Sequence, residues 1–148
     1  MNKNLVISET VIIHSSLEEI WEALTNPEKI KQYFQGAETE CDWQVGSPIF
    51  FRGIFQGEAY EDKGKIIEIE YGKRLVYDNL SSWLKLEDRP ENYSIIDMEL
   101  NQEETGISLK LTHAGFIDEQ NRIESIDGWR YALAMIKSLA ETDKSFNN

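Results

Sequence analysis

The sequence predicts an α+β fold in which one long C-terminal helix packs across a curved antiparallel sheet of about six strands. Three observations predict it. Apolar residues recur at period two through most of residues 38–113. Helical spacing holds in 16–36 and again in a closing stretch, 123–142. Between those stretches the strands follow one another through short turns instead of alternating with helices.

Residues 5–14 read as the first strand, with Leu5, Ile7, Val11 and Ile13 on one face and Glu9 as the exception. Ser15 and Ser16 stop it. Ser16 and Glu19 form a capping box, and Ile20, Trp21 and Leu24 follow at helical spacing. Thr25-Asn26-Pro27-Glu28 ends this helix and starts another, because proline suits a first helical turn. Ile30, Tyr33 and Phe34 give the second helix its apolar side, and Gly36 ends it.

A hairpin is expected over 38–43 and 48–55, turning at Gln44-Val45-Gly46-Ser47. Residues 57–71 are extended, with Ile67, Ile69 and Tyr71 alternating. Gly72-Lys73 turns the chain into a strand carrying Leu75, Tyr77 and Leu80. Charge and Pro90 make 84–91 a loop. Ile96, Met98 and Leu100 share a face of 92–101. After a turn at 103–106, Ile107, Leu109, Leu111 and His113 share a face of the last strand. Residues 118–122 read as a polar connection. Ile126, Trp129, Leu133, Ile136 and Ala140 then form the stripe of a closing helix roughly 30 Å long. The polar tail from Asp143 is expected to fray.

The chain length of 148 residues suits a single domain over 1–148, with its core in 5–142. Fifteen basic residues against 27 acidic ones give a net charge of −12. Such a surface repels phosphate backbones and anionic headgroups, so neither nucleic acid nor a membrane is expected as a partner. The single cysteine, Cys41, forms no internal disulfide, and no signal-like h-region opens the chain; a cytoplasmic location is expected. Cys41 lies between Glu40 and Asp42, whose charges disfavour a thiolate, so it reads as a small packed residue. Two distant histidines and one cysteine make no metal-ligand spacing, and phosphate loops, nucleophile elbows and zincin motifs are missing. No catalytic residue, metal or cofactor is therefore assigned. Glu18-Glu19, Glu61-Asp62 and Glu103-Glu104 read as solvated faces and turns. Glu9 and Asp97 interrupt apolar faces and are read as edge or outer-face residues.

Several segments carry a resemblance. Ile20-Trp21-Glu22-Ala23-Leu24-Thr25-Asn26-Pro27-Glu28, Val45-Gly46-Ser47-Pro48-Ile49-Phe50, residues 64–70 followed by Arg74-Leu75-Val76-Tyr77, residues 105–116, and Asp127-Gly128-Trp129 with Leu133 and Leu139 occur in order. Together they resemble the Hsp90-ATPase-activator homologue (AHSA1-like) group of the START/Bet v 1-like superfamily, over about residues 5–142. The resemblance implies a helix-grip fold with a cavity between sheet and long helix. A straight rod against a curved sheet leaves space that side chains do not fill. Candidates for lining it are Phe34, Trp43, Phe51, Tyr60, Tyr77, Trp83, Met98, His113, Trp129 and Met135. Taken singly, each suits plain core packing better. His113 ends an apolar strand face, where a histidine more often donates to a backbone carbonyl than acts as a base.

Three functions follow from these readings, in this order. The first is a binding domain for a hydrophobic or amphipathic small molecule. The second is a protein-interaction or co-chaperone module. The third is an enzyme similar to the superfamily's cyclases and dehydratases, with His113 or a tyrosine as acid–base group. Either a monomer or a dimer is compatible with all three.

Overall fold

A computed structural model describes residues 1–146, and side-chain surroundings through residue 142. The elements run β1 (Asn2–Ile13), α1 (Leu17–Thr25), α2 (Pro27–Tyr33), β2 (Glu38–Cys41), β3 (Pro48–Phe55), β4 (Glu58–Glu70), β5 (Arg74–Asn79), β6 (Ser94–Glu103), β7 (Gly106–Phe116) and α3 (Glu119–Phe146). Seven strands form one sheet in the order β1-β7-β6-β5-β4-β3-β2. Every pairing is antiparallel. The first strand therefore crosses to the far edge to pair with the last, and the helices cover one face.

Local chemistry sets the helix ends. Ser16 Oγ accepts the Glu19 backbone N–H at 3.1 Å, capping α1. Asn26 serves two helices at once. Its N–H donates to Glu22 O at 2.9 Å, closing α1, and its Oδ1 accepts from Glu28 N at 3.0 Å, opening α2. Pro27 follows in the first turn of α2, where its missing N–H costs nothing. The Tyr33 hydroxyl donates to Ala23 O at 2.8 Å and locks α2 against α1.

The closing helix starts earlier than its apolar stripe suggests. Asp118 Oδ1 accepts from Asn121 N at 2.8 Å, an N-cap that makes helix of residues whose polarity reads as a connection. That first turn is polar, so hydrophobic periodicity does not mark it. The helix also passes Asp143, where the polar tail is expected to fray, and continues to Phe146; Asn147 and Asn148 lie outside the described residues.

A further difference concerns β4. The Ile67, Ile69 and Tyr71 alternation is not one buried face: Ile66 is buried while Ile67 and Tyr71 are exposed. An irregularity in the β4–β5 register between Ile66 and Glu68 shifts the phase, leaving Ile69 packed against the core. Gly64 permits the strand crossing at this point. A Cβ there would stand 1.7 Å from Asp78 O of β5, so only glycine fits.

The core cluster joins the sheet's inner face to all three helices. It includes Ile13, Leu75, Met98, Leu109 and Leu111 from strands, Ile20 and Leu24 from α1, Ile30 from α2, and Leu133, Ile136 and Ala140 from α3. The burial of α3 is uneven. Its residues Ala132, Leu133, Ile136 and Ala140 are buried, whereas Ser125 and Trp129 are half-buried and Gly128 and Tyr131 exposed. One end of the rod is packed and the other stands off the sheet.

Candidate functional site

The site forms under the end of α3 that stands off. Strand register builds its floor. Tyr77 of β5, Ile96 of β6 and His113 of β7 pair in sequence, giving one row of inward side chains across three strands. Phe51 of β3 pairs with Asp62 of β4 and extends the floor toward the short edge strand. Phe34, at the C-terminal end of α2, supplies one wall. Its ring meets Phe51 at 5.6 Å and Trp129 of α3 at 5.7 Å, both edge-on. Phe51 in turn lies 5.8 Å from Tyr77. The rings enclose a cleft of about 470 Å³, open to solvent on one side, a volume typical of small-molecule sites.

Most of the wall is apolar, with polar groups at intervals. The Trp129 indole N–H donates to His113 Nδ1 at 2.8 Å. His113 also stacks on Phe116 at 4.3 Å. Burial holds its imidazole down to about 4, and a hydrogen bond with the Gly115 backbone offsets only part of that. His113 is therefore neutral at pH 7, and its Nδ1 lone pair is occupied. Among the described residues no second ionisable group hydrogen-bonds it.

Tyr77 presents its phenol to the cleft, with burial first and the Asp62 charge second pushing its ionisation up. Asp62 is also raised by burial, although Ser82 donates to its Oδ1 from both N (2.9 Å) and Oγ (3.0 Å). Asn79 Oδ1 is buried without a hydrogen-bond partner. Such an atom is costly to leave unpaired.

Of the residues expected at a cavity, Phe34, Phe51, Tyr60, Tyr77, His113 and Trp129 border the cleft. Four do not. Trp43 and Met98 border instead a small void of about 10 Å³ on the other side of Phe34, Phe51 and Tyr77, with Leu24, Ile30 and Leu75. Met135 packs half-buried against the core. Trp83 is 57% exposed and meets Phe55 edge-on at 5.0 Å, away from the cleft. Residue type alone points to these four, and residue type does not say which face of the sheet or which end of the helix a ring occupies.

Nine of the fifteen bordering residues are not among the expected ones, and the polar ones of these include Asp62, Asn79, Gln35 and Ser125. Period two holds the signal for the first two, since Asp62 follows Tyr60 by two residues and Asn79 follows Tyr77 by two. Reading Glu61-Asp62 as one solvated pair conceals it: Glu61 pairs with Arg52 on the outer face. Both strand carboxylates that interrupt apolar faces are neutralised. Asp97 binds Arg74 through two hydrogen bonds, at 2.6 and 3.2 Å, on the outer face. Glu9 lies on edge strand β1 and pairs with Arg130 of α3. Cys41 is half-buried, and its Sγ accepts from Trp43 N at 3.2 Å.

Among the described residues no group of three or more histidine, cysteine or acidic side chains is placed to hold a metal. Among them, too, no helix is long and apolar enough to cross a membrane.

The family model for activator of Hsp90 ATPase homolog 1-like protein matches residues 14–141. The chain belongs to this family. The match takes in α1, α2, every strand after β1 and nearly all of α3, and so every residue that borders the cleft. Solved structures agree. The solution structure of ChR145 from Cytophaga hutchinsonii is 34% identical, covers 98% of this chain and 99% of its own, and superposes with a TM-score of 0.81. Two activator-like proteins share the fold at lower identity. The Aha1 dimer from Colwellia psychrerythraea is 19% identical, with 92% and 96% coverage and a TM-score of 0.71. The AHSA1-like protein from Aeromonas hydrophila is 16% identical, with 94% coverage of each chain and a TM-score of 0.73. Comparison with curated proteins gives no match.

Proposed function

We propose that this activator-homologue chain is a binding domain that holds a small, mostly apolar molecule in the cleft beneath the N-terminal half of α3. One observation carries the reading. The cleft keeps about 470 Å³ free between packed aromatic rings, while Asn79 Oδ1 is left unpaired beside it. A packed core would close such space, because interiors are dense and unpaired polar atoms are costly. A ligand with an apolar body and a polar tip would remove both defects.

Binding without turnover suits the chemistry present. His113 is neutral and engaged by Trp129. The buried phenols Tyr33 and Tyr77 are held protonated by burial. These groups position and desolvate a ligand; they do not form an acid–base pair tuned near neutral pH.

The test is a ¹H–¹⁵N NMR titration with 2-naphthylethanol as an apolar probe with a polar end. The reading expects saturable shifts at Phe51, Tyr77, Ile96, His113 and Trp129. It also expects their loss in Gly128→Leu, which grows a side chain where nothing lies within 4 Å of the glycine's missing Cβ. Saturable binding elsewhere, or binding unchanged by Gly128→Leu, would overturn it.

A further inference from the structure

The cleft has an unbalanced charge. Fifteen residues border it, and they include one carboxylate, Asp62, and neither lysine nor arginine. Among the described residues, the two strand carboxylates that interrupt apolar faces each have a cation: Asp97 has Arg74 and Glu9 has Arg130. Asp62 has no ion-pair partner there. Its stabilisation comes from Ser82, whose N–H and hydroxyl both donate to Oδ1. Oδ2 accepts no hydrogen bond from the described residues.

The neighbouring groups repeat the sign. Asp62 pairs across the ladder with Phe51, and its charge acts on both Tyr60 and Tyr77. Asn79 adds an unpaired carbonyl oxygen. This end of the cleft therefore offers acceptors and aromatic faces together. A cation is the species that both recognise, through charge-assisted hydrogen bonds and through ring quadrupoles. The chain's net charge of −12 draws cations toward its surface in general.

We propose that the cleft selects amphipathic ligands bearing a protonated amine, with the ammonium on Asp62 Oδ2 and the apolar body against Phe34 and Trp129. This rests on the binding reading above and narrows it to one ligand class. No covalent step is involved. The remote end of the cleft, at His113 and Trp129, sets how long the apolar body is.

Three isosteric probes test it by isothermal titration calorimetry at pH 7: 2-naphthylethylamine, 2-naphthylethanol and 2-naphthylacetate. The amine is expected to bind about tenfold or more tightly than the alcohol, because hydrogen bonds to charged groups are the stronger kind. The carboxylate is expected to bind weakest. Asp62→Asn, which keeps an oxygen for Ser82, should weaken the amine more than the alcohol and bring the two within about threefold of each other. Gly128→Leu should abolish binding of both. Equal affinities of amine and alcohol for the wild type would overturn the proposal and leave the binding reading standing. So would equal weakening of both probes in Asp62→Asn. Amine binding that survives Gly128→Leu would place the cation outside the cleft and also overturn it. Failure of all three probes to bind would remove the binding reading itself.

Discussion

Trp129 of α3 donates its indole N–H to His113 Nδ1 of β7 at 2.8 Å, a bond between the long helix and the floor of the cleft. It joins the standing-off half of α3 to the sheet where packed aliphatic side chains no longer do so. The bond also fixes the imidazole: with Nδ1 accepting, the proton of neutral His113 resides on the other nitrogen.

His113 makes stability depend on pH in a defined window. Its imidazole is held at about 4 in the folded chain, against about 6.5 when unfolded. Above 6.5 both states carry it neutral. As pH falls from 6.5 toward 4, the unfolded chain takes up a proton that the folded chain does not, so stability falls. The loss from this residue is about 2 kcal/mol at pH 5. Urea melts of the wild type and His113→Asn at pH 7, 6 and 5 check it. Between pH 7 and 5 the wild type should lose more stability than His113→Asn does, by that amount. Parallel profiles would exclude the assignment.

Trp129→Phe keeps the ring and removes the donor. The variant should lose about 1–2 kcal/mol, the usual cost of a half-buried bond whose acceptor is left behind. The indole bonds the neutral form of His113, so its removal should also raise the imidazole's pKa. An NMR titration of His113 reads this second effect, and an unchanged or lowered pKa would contradict it.

Two glycines should respond oppositely to alanine. At Gly64 the new Cβ would meet Asp78 O at 1.7 Å, forcing β4 and β5 apart. Gly64→Ala should cost more than about 2 kcal/mol. At Gly128 nothing lies within 4 Å, and the residue is inside a helix. Gly128→Ala should therefore stabilise the chain by up to about 1 kcal/mol. Thermal melts distinguish the signs, and a stabilising Gly64→Ala would contradict the close crossing of β4 and β5.

The two buried phenols should differ in the same way. Tyr33 donates to Ala23 O at 2.8 Å, so Tyr33→Phe leaves a buried carbonyl unpaired at the α1–α2 junction and should cost about 1–2 kcal/mol. The Tyr77 phenol borders the cleft, and hydrogen bonding does not contribute to its ionisation. Tyr77→Phe should change stability by less than about 0.5 kcal/mol. Its effect belongs in ligand affinity, measured with the naphthyl probes. A large stability loss in Tyr77→Phe would show that the phenol serves the fold.

Much of the fold is legible in the sequence. Ser16 with Glu19, and Asn26 before Pro27, place two helix starts because capping is a local interaction between residues three or fewer apart. Apolar alternation from Ile96 to Leu100 and from Ile107 to Leu111 places two central strands, because both bury one face. The Ile66–Glu68 irregularity is not legible. A register shift depends on the partner strand, and β5 does not announce it in β4's own residues. The polar first turn of α3 escapes for a different reason: its cap, Asp118, closes a turn that has no apolar stripe.

The class of fold, the order of its elements and the aromatic supply of the cleft are all readable from the residues in order. These follow from period, caps and turn residues, all local in the chain. Which rings enclose space and which fill the core depends on how the helices pack on the sheet. Phe34 and Trp43 are both half-buried aromatic residues that border the same small void, yet only Phe34 also walls the cleft. The structure also decided that Asp62 turns inward without a cation while Glu61 turns outward to Arg52. The reason is physical. Where a straight helix leaves a coiled sheet depends on the accumulated twist of seven strands, and that sum is not written at any single position.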